Sequence, residues 1–159
     1  MQKITLIDTS VLLDLLAVPG RDQDREAIGR EMKDRRTSGE RFLLPITTVV
    51  ETGNHIAQIK DHTRREVAER FAALLKQCLE GKAPFRFDEV LWDQTFLQTF
   101  ISGAGTSVPL IDHLQQKTGA GDLCILTELT LRRKNLGSTA EVSIWTLDGD
   151  LGAYAGALC

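Results

Sequence analysis

The chain has 159 residues, a length that suits one folded unit spanning residues 1–159 and leaves no room for two full-sized cores. Hydrophobic residues make up 42% and charged residues 26%, an ordinary globular composition that needs neither a disulfide nor a metal in order to fold. Nineteen Lys and Arg against 22 Asp and Glu give a net charge of −3, which excludes a generally basic nucleic-acid coat but not a local basic face around an acidic site.

No apolar run approaches a membrane span, and the N-terminus lacks the basic, apolar and small-residue succession of a secretory signal, so no membrane association is expected. Cys78, Cys124 and Cys159 are odd in number and form no CxxC pair. His55, His62 and His113 show no ligand-like spacing. Neither a disulfide framework nor a zinc knuckle is supported, and a reducing cytoplasm is the expected compartment.

In chain order, residues 3–8 (KITLID) read as a short strand. Residues 11–17 (VLLDLLA) follow with helical spacing until Pro19-Gly20 stops them. Residues 22–37 predict a charged helix with Ala27, Ile28 and Met32 as its apolar positions. Across 21–41, seven Arg and Lys face six Asp and Glu, the pattern of a solvated surface rather than a nucleic-acid patch. Residues 42–46 (FLLPI) predict a second strand, with Pro45 at a strand end or sheet edge.

Thr48 is expected to open a helix to about residue 60, and a further helix covers 63–79 with Val67, Phe71, Leu74 and Leu75 on one face. A short third strand is expected at 85–87, a helix at 89–101 and a flexible segment at 102–109 (SGAGTSVP). Residues 121–136 predict a helix ended by Gly137, and 142–147 (VSIWTL) a last strand before an Asp148-Gly149 turn. Strands alternating with helices imply a central parallel sheet covered on both faces, a three-layer α/β/α sandwich. Ligands in such folds sit outside the carboxyl ends of the strands.

That rule directs attention to four acids. Asp8 ends the first strand, Glu51 lies one turn into the helix after the second, Asp122 opens the helix leading to the last strand, and Asp148 ends that strand. Carboxylates gathered without a matching cation repel, and hard divalent ions such as Mg²⁺ or Mn²⁺ relieve that repulsion through oxygen ligation. An ion so held activates water and stabilises charge at a phosphodiester. Each acid also has a purely structural reading. Thr48-x-x-Glu51 fits a capping box, Asp122 complements a helix dipole, Asp148-Gly149 is a turn dipeptide, and Asp8 before Thr9 and Ser10 fits a helix cap. Four acids in order at one end of the sheet favour the metal reading.

The residues around these acids resemble the motifs of PIN domains. Leu6-Ile7-Asp8-Thr9-Ser10-Val11-Leu12-Leu13 resembles the opening motif, and Ile46-Thr47-Thr48-Val49-Val50-Glu51 the second. Gly121-Asp122-Leu123-Cys124-Ile125-Leu126 resembles the third, and Trp145-Thr146-Leu147-Asp148-Gly149-Asp150-Leu151 the fourth. The resemblance spans nearly the whole chain and implies an α/β/α fold carrying a Mg²⁺- or Mn²⁺-dependent ribonuclease site. It implies Asp8, Glu51, Asp122 and Asp148 as the acidic quartet, with Asp150 as a second choice for the fourth acid. It implies Thr9 or Ser10, and Thr146, as the hydroxyls that order the site. Many small members are VapC-type toxins with a separate antitoxin, and many are homodimers, so RNA, an antitoxin and a second copy are the implied partners. The stretch 102–119 before the third motif departs from the small-toxin pattern.

Other features carry structural readings. Arg132-Arg133-Lys134 fits a basic helix C-terminus better than a grip on RNA. Arg64 and Arg65 fit solvated helix positions, and Trp92, Trp145 and Cys124 fit the core. The GxG pairs at 103–105 and 119–121 do not continue as nucleotide-binding loops. Ile56, Ile59, Phe71 and Leu75 exceed what one thin sheet face needs, which suggests a homodimer patch. Three alternatives compete: a haloacid dehalogenase-like phosphatase, whose second acid would stand where Ser10 does; a von Willebrand A-type adhesion module, which would need serine at Leu12; and an inactive PIN scaffold that binds RNA or protein.

Overall fold

The computed structural model of the chain describes residues 1–88 and 90–158. Glu89, where the helix expected at 89–101 would begin, and Cys159 lie outside the described residues.

Four strands form one parallel sheet. β1 (Gln2–Ile7) is flanked by β2 (Arg41–Leu43), with Thr5 opposite Phe42, and by β4 (Ala140–Trp145), with Ile7 opposite Trp145. β3 (Phe85–Arg86) extends the sheet beyond β2, so the order is β3-β2-β1-β4. The chain therefore moves outward on one side of β1 through β2 and β3, then returns to the other side with β4. The carboxyl ends of β1 and β4 form the topological switch point, where a crevice opens in sheets of this kind.

Helices cover both faces, giving the three-layer α/β/α sandwich. α1 (Thr9–Leu15), α2 (Arg25–Thr37), α3 (Ile46–Ala57) and α4 (Thr63–Leu79) pack on one face, where Leu12, Ile28, Ile56 and Val67 surround Ile7, Phe42 and Trp145. α5 (Gln94–Ile101), α6 (Leu110–Gln115), α7 (Ala120–Leu136) and α8 (Gly149–Ala157) cover the other face, where Leu126, Leu129 and Leu151 meet Ile4, Leu6 and Val142. The period-two alternation of β1 drives this sorting, because Leu6 and Ile7 point to opposite faces and both are fully buried. Burying such a side chain stabilises by about 1.5–3 kcal/mol. Among the described residues no helix is long and apolar enough to cross a membrane.

Several expectations need correction. The second strand ends at Leu43, and Pro45 is neither in it nor at a sheet edge. Pro45 instead precedes α3 with extended backbone (φ −63°, ψ 145°), so that helix begins at Ile46 rather than Thr48. No capping box forms there. The Thr48 hydroxyl donates to the Ile7 carbonyl across 2.7 Å and ties α3 to the end of β1.

The segment 102–109 is a packed turn. Ala104 is fully buried in it with a left-handed φ of 56°, and its carbonyl accepts from Thr130 Oγ1 at 3.1 Å. The turn leads into α6, which sequence periodicity did not signal. His113 of that helix is fully buried, hydrogen-bonded to Thr106 Oγ1 at 2.7 Å and set edge-on to Tyr154. The expected turn at Asp148-Gly149 is instead the start of α8.

Trp145 is buried as expected, but Trp92 is 56% exposed and stacks on Phe96. Ile56 is buried, and Ile59, Phe71 and Leu75 are only partly exposed and packed against the same core. The apolar excess assigned to a homodimer patch is thus consumed internally.

Candidate active site

Asp8 is fixed by three hydrogen bonds to one oxygen. As N-cap of α1 it lies just past β1, and its amide continues the sheet ladder by donating to the Trp145 carbonyl at 3.0 Å. Its Oδ2 accepts from Ser10 Oγ and from Thr146 Oγ1, each at 2.7 Å, and from the Ser10 amide at 3.4 Å. Oδ1 is left for another ligand. The two hydroxyls are themselves held, because Ser10 Oγ accepts from the Leu147 amide and Thr146 Oγ1 from the Asp148 amide, both at 2.9 Å. The first and fourth motifs therefore lock together through side chains that the sequence singles out.

Asp148 is the N-cap of α8. Its Oδ1 accepts from the amides of Asp150 and Leu151 at 2.8 and 3.1 Å. Asp150 is exposed in the first turn of the same helix. The helix-cap reading of Asp8 is thus realised, and Asp148, read as a turn residue, is a helix cap as well, yet each cap uses one carboxylate oxygen and leaves the other. Capping and ligation are compatible at these residues.

Glu51 rests beside the N-terminal turn of α7. Thr9 Oγ1 lies 3.5 Å from its Oε1, and a Cβ on Gly121 would stand 2.2 Å from that same oxygen. Only glycine admits the Glu51 carboxylate at this place. Burial, then the charge of Asp8, raise the Glu51 carboxyl above its ordinary range, and the Thr9 hydrogen bond opposes them.

Asp122 stands in the first turn of α7. Burial pushes its carboxyl up to about 7, and the charges of Asp8, Asp148, Glu51 and Asp150 add to that shift. Asp148 outranks Asp150 among these influences, which favours Asp148 as the fourth acid. The positive end of the α7 dipole would lower this carboxyl, so the surrounding negative charge and burial prevail.

All four predicted acids therefore lie about the carboxyl ends of β1 and β4, near enough for the other three to act on Asp122. Among the described residues none of them, nor Asp150, takes part in an ion pair. The donor set consists of carboxylates and hydroxyls, which suits a hard divalent cation. As the side chains stand, no three His, Cys, Asp or Glu among the described residues gather closely enough to hold an ion. The donor chemistry fits a metal, while closure of the ligands would require the ion's own attraction.

A cavity of about 430 Å³ opens beside Ser10 and Asp148, with Asp14 and Arg21 also in its lining. Asp14, which no motif singled out, is buried and accepts from the Asp24 amide at 3.1 Å, fixing the loop that leads into α2. Burial raises its carboxyl above the ordinary range.

The basic run of α7 has a role that the sequence did not reveal. Arg132 is buried, donating to Glu128 at 2.8 Å and to both the carboxylate and the carbonyl of Asp88, at 2.8 and 3.0 Å. Arg133 donates to the carbonyls of Val142 and Leu158 at 2.9 and 2.7 Å. These two arginines hold segments of the fold together. An acid four residues before Arg132 was the available signal.

No family model matches the chain, and no curated protein or solved structure matches it either.

Proposed function

We propose that the protein is a Mg²⁺- or Mn²⁺-dependent endoribonuclease of the PIN type, hydrolysing RNA phosphodiester bonds. The observation that carries the reading is the placement of Asp8, Glu51, Asp122 and Asp148 about the ends of β1 and β4 with no ion-pair partner among the described residues, where burial first, and then the charges of the other acids, push Asp122 up to about 7. Clustered like charges at the switch point of a parallel sheet are costly unless a cation joins them. The four motifs that resemble PIN domains supply the same four residues.

In this reading Asp8, Asp122 and Asp148 would hold the ion, with Glu51 ligating directly or through water. When bound, the ion would supply a nucleophilic water at neutral pH and stabilise charge on the phosphate. Ser10 and Thr146 keep Asp8 in one orientation, so little reorganisation is needed on binding. Glu51, raised above its ordinary range and accepting only a long hydrogen bond from Thr9, is suited to orient the attacking water and take its proton. In this mechanism no side chain forms a covalent intermediate. A toxin paired with an antitoxin, acting in the cytoplasm, is the finer form of this proposal.

Cleavage of a mixed-sequence RNA should require Mn²⁺ or Mg²⁺ and stop with chelator, leaving 5′-phosphate and 3′-hydroxyl ends. A 2′,3′-cyclic phosphate product would overturn the mechanism, because it requires attack by the ribose hydroxyl. Metal-dependent hydrolysis of a phosphomonoester without RNA cleavage would favour a phosphatase instead.

A further inference from the structure

The amino end of the sheet, opposite the acids, carries a separate feature. A groove of about 300 Å³ lies there, lined by Arg36, Arg41, Lys82 and Arg86 together with Glu40 and Phe42. The four cations come from four places: the last turn of α2, the start of β2, the loop after α4, and β3. All four are exposed. Arg36, Arg41 and Arg86 make no ion pair among the described residues, and Lys82 meets only the exposed Glu80. The one acid in the lining, Glu40, is turned to Thr5 and Arg35. A helix C-terminus accounts for Arg36 alone, since the other three lie outside helices. In a chain of net charge −3, four cations converging on one groove leave a concentrated positive patch whose complement is a row of phosphates.

We propose that this groove is a second contact for the sugar-phosphate backbone of single-stranded RNA, remote from the acidic centre. The proposal rests on the ribonuclease reading for its choice of ligand. Arg41 of the groove is in register with Ile4, four residues before Asp8, so the two lie about 13 Å apart along the strand direction. A single strand must extend over more than two nucleotides to reach both. The groove therefore selects longer RNA by affinity and leaves the chemical step to the acids. Contact is electrostatic and indifferent to base sequence.

The test uses the full chain with Arg41→Glu and Arg86→Glu together. Binding of a 24-nucleotide single-stranded RNA is followed by fluorescence anisotropy in chelator, where no cleavage occurs. The expected result is at least about a tenfold loss of affinity and a salt dependence shallower by about one to two in slope. In Mn²⁺, KM for the 24-mer rises with kcat unchanged, while a dinucleotide is cleaved as by wild type. Undiminished binding of the 24-mer, or equal losses for the 24-mer and the dinucleotide, overturns the proposal. Lys82→Glu, at an exposed loop position, gives the same readout should the double variant fold poorly. RNA that binds in the groove-dependent way but is never cut would sink the ribonuclease reading and leave the groove standing. Cleavage that ignores the groove variants would do the reverse.

Discussion

Thr146 Oγ1 donates to Asp8 Oδ2 across 2.7 Å, joining the end of the last strand to the end of the first over 138 residues of sequence. The bond uses the oxygen that Ser10 also holds and leaves Oδ1 unshared. Thr146→Val removes one donor from a carboxylate and leaves its shape nearly unchanged. The expected cost is about 1.5–3 kcal/mol in chelator, with metal affinity reduced because Asp8 is freed to rotate. Thermal melts with and without Mn²⁺ read both effects. A variant with unchanged metal-induced stabilisation would mean that the hydroxyl does not order the site.

Asp122 separates repulsion from capping more cleanly than Asp8 does, because Asp8 also serves as a helix cap. Asp122→Asn should raise the melting temperature in chelator, where it removes one of several mutually repelling charges. Wild type gains about 2.7 kcal/mol when free metal is one hundred times its dissociation constant, and the variant should lose most of that gain. The two melting temperatures should therefore cross between chelator and saturating Mn²⁺, with cleavage abolished in the variant. Parallel shifts in both conditions would show that the acids hold no ion.

The same carboxyl sets a pH dependence. Its folded value of about 7 stands above its ordinary 3.8, so the folded protein without metal binds the proton more tightly than the unfolded chain. The stabilisation is fully present below about 4 and is lost as pH rises to about 7. Measured in chelator between pH 5 and 7.5, stability should fall faster with pH in wild type than in Asp122→Asn. In Mn²⁺ the trend reverses, because protons compete with the ion for the same oxygens. Identical pH profiles for the two proteins in chelator would refute the assignment.

Gly121→Ala tests how closely Glu51 is seated. The new methyl would collide with Glu51 Oε1, displacing the carboxylate, while the backbone of α7 gains about 0.5–1 kcal/mol of helix preference. Stability in chelator should hold or rise as cleavage falls by at least tenfold. Full activity in this variant would show that the position of Glu51 is immaterial.

Much of this was open to local reading. The candidate acids and hydroxyls are legible because all but Glu51, in the second turn of α3, sit at a strand end or a helix start, where short-range patterns are strongest. Pro45 was misread because a proline after an apolar run signals equally an edge strand and the residue before a helix. α8 escaped notice because its sequence, GDLGAYAGA, carries three glycines, and its helix depends on the Asp148 cap and on burying Leu151 and Ala155. The basic groove was invisible for a different reason. Across 21–41 the charges balance, and only folding pairs Arg35 with Glu31 and Glu40 while bringing Arg36 and Arg41 beside Lys82 and Arg86. Likewise the partner of Arg132 at Asp88 is 44 residues away.

Arg132 gives a control that is independent of chemistry. Arg132→Ala leaves Glu128 buried without a counter-charge and frees Asp88, so it should cost about 3–5 kcal/mol. Urea unfolding reads this directly. RNA affinity per folded molecule should be unchanged, and a selective loss of affinity with normal stability would restore the RNA-grip reading of this helix.

The strand order has a bearing on how the molecule is made. The middle strand is synthesised first and one of its two neighbours last, so the first strand waits for residues 140–145 before that side is paired. Asp8 is made well before its Thr146 donor, which follows it by 138 residues. A nascent or prematurely terminated chain ending before residue 140 therefore carries two or three of the acids but lacks the strand end that fixes Asp8.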